Sequence, residues 1–121
     1  MNKKELGALG EQRAAEALEK EGYRILERNF RCRMGEVDII ARQGDYLVFA
    51  EVKLRKDASH GEAREFVTAA KQQRLRVTAM YYLAGHSFSQ ELQPRFDVVE
   101  VYAPHGESGP ITISHLQNAF E

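Results

Sequence analysis

The stretch Glu36–Lys53, EVDIIARQGDYLVFAEVK, predicts two β-strands joined by a tight turn. Both halves are rich in β-branched and aromatic residues, which are typical of strands. Only Gly44 and Asp45 separate Gln43 from Tyr46, and a Gly-X pair is typical of a two-residue type II′ hairpin turn. With that turn, the numbers of directly paired residues add up to 89.

This register gathers four charged residues at one end of the hairpin. It sets Asp38 opposite Glu51 and Glu36 opposite Lys53, and strand alternation places all four on one face. The opposite face receives apolar residues only, namely Val37, Ile39, Ala41, Val48, Ala50 and Val52. A slip of one residue would bury the charges and expose this apolar set, so the register is well specified.

Asp38 and Glu51 form the candidate site for chemistry. Two carboxylates that face each other repel unless a cation lies between them, and Mg²⁺ prefers one or two carboxylates with water and phosphate oxygens. Lys53 could stabilise a developing negative charge or position an attacking water. Phosphodiester hydrolysis requires this combination. The alternative is that Glu36 and Lys53 form a surface pair while Asp38 and Glu51 are merely solvated.

The remaining patterns predict a mixed α/β (α+β) domain spanning residues 1–121 with a central sheet and the order α-β-β-β-α-β-β. Gly10 and Gly7 lie within the first predicted helix and would be tolerated where its backbone approaches another element. The predicted segments are a helix over 3–21 capped by Gly22, a strand over 23–30, a loop or bulge over 31–35, an exposed basic loop over 54–62, a helix over 63–84, a strand over 95–102, a turn over 104–110, a short strand over 111–114 and a C-terminal helical turn that packs Leu116 and Phe120.

Composition narrows the class of protein. The chain has 121 residues, a net charge of −1 and one cysteine, Cys32, so an intramolecular disulfide is excluded and we expect a cytoplasmic location. No apolar run approaches the length of a membrane span, and the four histidines lack zinc-ligand spacing. The net charge is near zero, but the charges are unevenly distributed along the chain, since residues 80–121 carry one basic residue against five acids. The earlier part is net positive, which is a weak indication of an acidic partner such as nucleic acid.

Asp38 followed by Glu51-Val52-Lys53, with Glu11 on a preceding helix, resembles the PD-(D/E)xK superfamily of restriction-endonuclease-like folds, and among its members the archaeal Holliday junction resolvases. Nearly the whole chain resembles the bacterial YraN family. The stretches that carry this resemblance are Gly7–Glu11, Asn29–Arg31, Gly35–Ile40, Val48–Arg55, Lys71-Gln72, Arg95–Val98 and Asn118–Phe120. One departure is Val37, which stands where the motif has proline.

The resemblance implies an endonuclease that uses Mg²⁺ or Mn²⁺ to cleave DNA, including branched or structured DNA. Asp38, Glu51 and Glu11 match the metal-binding acids, and Lys53 matches the catalytic lysine. Residues that we expect to contact nucleic acid are Arg31, Arg33, Arg55, Lys56, Lys71 and Gln72, the last two from the second helix. Resolvases act as symmetric dimers, so a homodimer is one arrangement that the sequence leaves open. Two alternatives are a catalytically inactive nucleic-acid-binding module of the same fold and a scaffold whose Val67–Ala84 helix binds a protein.

Overall fold

The computed structural model describes residues 2–56, 67–88 and 90–121. Their secondary structure is, in chain order, α1 (Lys3–Lys20), β1 (Arg24–Cys32), β2 (Gly35–Gln43), β3 (Tyr46–Arg55), α2 (Ala69–Gly85), β4 (Gln93–Tyr102), a single 3-10 turn (Gly106–Ser108) and β5 (Thr112–Phe120). The predicted order α-β-β-β-α-β-β is confirmed. None of the helices in these residues is both long and apolar enough to span a membrane.

The five strands form one mixed sheet in the order β1-β2-β3-β4-β5. β3 and β4 are parallel, and the other neighbours are antiparallel. The predicted hairpin is confirmed in turn and register: Gln43 pairs with Tyr46 and Ile39 with Ala50, and Gly44 has a φ of 58°. A left-handed first turn residue is what a type II′ turn requires.

Several predicted boundaries were wrong. β1 continues to Cys32 and makes a second hairpin with β2, where a loop or bulge was predicted. Leu54 and Arg55 belong to β3 instead of the predicted loop, and β4 begins at Gln93. α2 begins only at Ala69, because Thr68 caps it by accepting the backbone N–H of Lys71. Predicted loop residues 57–62 and helix residues 63–66, including Arg64, lie outside the described residues.

The C-terminal segment is a strand, so the predicted helical turn was wrong. Leu116 and Phe120 have helical spacing, but Leu116 pairs with Val98 and Phe120 with Phe96 in the β4–β5 ladder. A register shift between these two pairs and the left-handed Asn118, with a φ of 51°, break the simple alternation of a strand. Residues four apart share a face in a strand as they do in a helix, and both apolar side chains pack on the same side of the sheet, against the α2 core.

Helices cover both faces of the sheet. On one face α2 packs over a cluster of buried residues that includes Leu47, Phe49 and Val98. On the other, α1 packs over Ala41, Val48, Ala50 and other buried residues. The predicted apolar face is therefore the α1 face, with Val37 as the exception.

β2 is irregular near Val37, which does not lie on the face predicted for it. Val37 packs in the α2 cluster, whereas Ile39, two residues later, packs in the α1 cluster. Residues two apart share a face in a regular strand, so the strand turns its faces at Asp38. On the neighbouring strand, Asn29 has a left-handed φ of 54°. At Gly10 the expected close approach is confirmed, since a Cβ there would lie 3.3 Å from Cδ1 of Leu54, which brings α1 close to β3.

Candidate functional site

The candidate site lies where β2 and β3 separate. Their backbone hydrogen bonds run from the turn to the Ile39–Ala50 pair. Beyond that pair the strands diverge, and we call the gap between Asp38 and Glu51 the fork. Asp38 Oδ2 accepts the backbone N–H of Val52 at 2.8 Å, and the Asp38 and Glu51 carboxyl groups share a hydrogen bond. The predicted proximity of these two acids is therefore present, at a fork in the sheet.

Both acids hold protons more tightly than usual. Burial and the charge of Asp38 raise the pKa of Glu51 from its ordinary 4.5 to about 7, although Lys71 opposes the shift. Burial also raises the pKa of Asp38, against the opposing effects of the Val52 N–H and Lys71. A carboxyl pair that cannot ionise fully without help has the electrostatics of a cation site.

Glu11 approaches the pair from α1. Burial and the charge of Asp38 raise the pKa of its carboxyl, while Arg28 and the Asn29 side chain beside it lower it. Its Oε1 is buried without a hydrogen-bond partner among the described residues. A buried acceptor left unsatisfied is costly, so this oxygen has an acceptor position available for a ligand of the site.

Lys71 approaches from α2, on the other side of the fork. Its Nζ forms an ion pair with Glu51 Oε1, and the Glu51 side chain is 10% exposed against 43% for Lys71. Gln72, predicted to reach the site or the DNA, instead donates to the Val67 carbonyl at 3.0 Å and accepts from Arg76. The contact between Lys71 and Glu51 was not predicted from the sequence.

The remaining predicted residues have different surroundings. Lys53 follows Glu51 by two positions on β3 and is half-buried. Glu36 forms an exposed ion pair with its β1 neighbour Arg31, with Nε and Oε2 3.2 Å apart. Arg55 is 9% exposed and binds Glu100 at 2.9 Å, whereas Arg33 and Lys56 are exposed. The exposed basic residues are thus the ones that can meet a phosphate backbone directly.

The donors at the fork fit a hard divalent cation. Across residues 2–56, 67–88 and 90–121, no group of three or more His, Cys, Asp or Glu side chains is arranged to hold a metal ion. Two adjoining carboxyl groups with raised pKa values are nevertheless the protein share of a typical Mg²⁺ site, which is completed by water and phosphate oxygens. Glu11 lies near enough for the Asp38 charge to raise its pKa, and its Oε1 has no hydrogen-bond partner among the described residues, but it does not form a three-acid ligand group with the pair.

A basic cleft adjoins the fork. It has a volume of about 440 Å³ and lies between the β1–β2 turn and α2, lined by Arg31, Cys32, Gly35, Glu36, Lys71, Arg74 and Leu75. Gly35 is needed there, because its φ is 149° and a Cβ would lie 2.8 Å from Thr78 Oγ1. The turn and α2 therefore meet closely, and three cationic side chains face one carboxylate.

A second buried charge cluster, which we call the Arg95 network, lies near the other end of β4. Arg95 donates to both carboxylate oxygens of Asp97, at 2.9 and 2.8 Å, and also to Tyr23 and Gln43. His115 Nε2 lies 2.7 Å from Asp97 Oδ2. Asp97 therefore forms a buried structural salt bridge with Arg95.

Comparison with known proteins places the chain in a family. The profile of "Uncharacterised protein family UPF0102" matches residues 10–101. The chain is 46% identical over 120 residues to a UPF0102 protein of Caldicellulosiruptor saccharolyticus, covering 99% of this chain and 100% of the relative. It is 50% identical over 116 residues to one of Symbiobacterium thermophilum, covering 95% of each. A relative in Caldanaerobacter subterraneus is 43% identical and covers 99% of this chain and 98% of its own length. The chain therefore belongs to the UPF0102 (YraN) family.

Proposed function

We propose that the protein is a metal-dependent endonuclease that hydrolyses phosphodiester bonds in DNA, with branched or structured DNA as its substrate class. The observation that carries the proposal is the Asp38–Glu51 carboxyl pair at the fork, where burial and then neighbouring negative charge raise both pKa values by more than the neighbouring hydrogen bonds and Lys71 lower them. Asp38 and Glu51 would hold Mg²⁺ or Mn²⁺, which would supply charge neutralisation of the phosphate and an activated water.

The protein's own residues then perform the positioning. Asp38 is held by the Val52 N–H, so its second oxygen is directed by the strand backbone and not by a flexible contact. Lys53 lies two positions from Glu51 on the same strand and supplies a positive charge beside the reacting phosphate. Such a charge stabilises the transition state in which water attacks phosphorus and the sugar oxygen departs.

The basic cleft supports nucleic acid as the substrate. Arg31, Lys71 and Arg74 place three cations beside the fork, although the whole chain has a net charge of −1. Phosphate contacts of this kind supply affinity without base specificity, and their contribution falls with salt. A substrate recognised by its backbone and shape fits a site that offers positive side chains in a cleft.

Cleavage assays test the proposal directly. With Mg²⁺ or Mn²⁺, we expect the purified protein to cut four-way-junction or flapped DNA. Asp38→Asn and Glu51→Gln should each lower the rate by about 100-fold or more, because each replaces an anionic carboxylate at the reacting centre with a neutral amide. Glu19→Gln is the matched control, since it makes the same chemical change on the exposed surface of α1 and should leave the rate unchanged.

Two outcomes would redirect the assignment. Metal-dependent cleavage that survives both fork substitutions contradicts this active site. Salt-sensitive DNA binding that ignores both metal and Asp38→Asn supports the alternative of an inactive nucleic-acid-binding module, for which the basic cleft alone is sufficient.

A further inference from the structure

Lys71 belongs to the candidate site and to the basic cleft at once. Its ammonium contacts Glu51 Oε1 at the fork, while its side chain also lines the cleft with Arg31 and Arg74. The side chain is 43% exposed, so its stem is not fixed by core packing. A lysine is a compact charge on a flexible stem, which allows it to exchange one anionic partner for another.

The position of Lys71 on α2 is unfavourable for a cation without such a partner. It is the third residue of the helix, and the first turn carries no acidic residue. The positive end of a helix dipole lies at its N-terminus and repels a cation there. The contact with Glu51 offsets that repulsion, and a phosphate in the cleft would do the same.

We propose that Lys71 competes with the divalent cation for Glu51, and that a backbone phosphate entering the basic cleft draws Lys71 away and thereby favours cation binding. The inference rests on the proposed function, since it takes the fork as the cation site. Lys71 neutralises Glu51 when cation and nucleic acid are absent, and nucleic acid releases Glu51 for the cation. By linkage, the cation strengthens DNA binding by the same factor by which DNA strengthens cation binding.

The chain's geometry supports a local exchange of partners. Glu36 already pairs with Arg31 in the cleft, so the guanidinium at the rim has an anion of its own. Arg74 is exposed and Lys71 is shared with the fork. A phosphate that enters the cleft therefore meets Arg74 at the surface and competes with Glu51 for Lys71.

The first test is a calorimetric titration with Mn²⁺ alone at pH 8. We expect Lys71→Met to bind Mn²⁺ about threefold to tenfold more tightly than the wild type, because one partly exposed ion pair no longer competes. Lys71→Gln should behave in the same way. Lys4→Met removes an equal charge from the exposed start of α1 and should leave the affinity unchanged. Unchanged or weaker Mn²⁺ binding in both Lys71 variants would overturn the inference.

A second titration tests the coupling to nucleic acid. In a Lys53→Met background, which prevents cleavage during the measurement, a DNA four-way junction should tighten Mn²⁺ binding by a similar factor. Adding Lys71→Met should abolish that gain, and a gain that persists would overturn the coupling. The two proposals fail differently: if the wild type and Glu51→Gln bind Mn²⁺ equally, the fork is not the cation site and the proposed function fails too. If Glu51→Gln alone weakens binding while Lys71→Met has no effect, only the role of Lys71 fails.

Discussion

The protein buries acidic groups in two regions of one sheet, and the pKa values of the two groups shift in opposite directions. In the Arg95 network, burial alone would raise the pKa of Asp97, but hydrogen bonds from His115, Arg95 and the Asn118 N–H hold it below its ordinary value. At the fork, burial raises the pKa values of both Asp38 and Glu51, and the hydrogen bonds there do not reverse the shift. The Asp97 charge is compensated by several contacts inside the chain, whereas the contacts of the Asp38–Glu51 pair, including the ion pair with Lys71, compensate its charge only in part.

The difference lies in the internal partners of the two buried charges. Asp97 receives both N–H groups of a bidentate Arg95 contact, so its negative charge has a matched internal cation. The same network raises the pKa of His115: burial lowers it, but the hydrogen bonds with Asp97 and Glu21 outweigh that effect. The fork has no comparable bidentate contact among the described residues. Lys71 compensates the charge there only in part, which supports the proposal that the pair binds an external cation.

Breaking the compensated region should have the larger effect on stability. Asp97→Asn leaves the Arg95 guanidinium buried without its carboxylate, so we expect the free energy of unfolding to fall by about 3–5 kcal/mol. Denaturant unfolding followed by circular dichroism measures this loss.

The matched control is the same Asp-to-Asn change at the fork. Asp38→Asn can still accept the Val52 N–H and removes a charge that is poorly compensated, so it should leave stability unchanged or raise it at pH 8. If Asp97→Asn and Asp38→Asn lower stability equally, the contrast between the two regions is wrong.

The fork should show a smaller effect with a specific pH dependence. Below pH 4.5 the Glu51 carboxyl is protonated in both folded and unfolded chains. As pH rises toward 7, the unfolded chain releases its proton while the folded chain retains it, so the folded state loses stability. Glu51→Gln removes this loss and should raise the free energy of unfolding by about 1–3 kcal/mol at pH 8, with no gain near pH 4. Unfolding curves at the two pH values measure it, and a gain that is equal at both would contradict the raised pKa.

The sequence predicts the features that local chemistry determines. Gly44 and Asp45 determine the turn, the turn determines the register, and the register brings Asp38 to Glu51. The predicted pairing of Glu36 with Lys53 is absent from the strand ladder, because β2 and β3 separate beyond the Ile39–Ala50 pair. The hydrophobic periodicity of the sequence does not indicate this separation. It also does not indicate the twist at Asp38 that places Val37 on the α2 face.

Contacts between distant parts of the chain could not be predicted from the sequence. The Arg95 network joins residues from β2, β4 and β5 with Tyr23, which lies between α1 and β1 and is 72 positions from Arg95. Lys71 reaches Glu51 from a helix whose start the sequence placed six residues too early. The spacing of Leu116 and Phe120 fits a helix and a strand equally, since residues four apart share a face in both, so their periodicity alone could not decide between the two. Each of these depends on tertiary packing, which overrides local pattern.

Both proposals require that the Asp38–Glu51 pair binds a divalent cation. The most direct test is a calorimetric titration of Mn²⁺ into the wild type and Glu51→Gln at pH 8, where no substrate has to be chosen. We expect saturable binding to the wild type and an affinity at least about tenfold weaker for Glu51→Gln, since the variant loses a charged oxygen ligand. Equal affinities for the two proteins would contradict it.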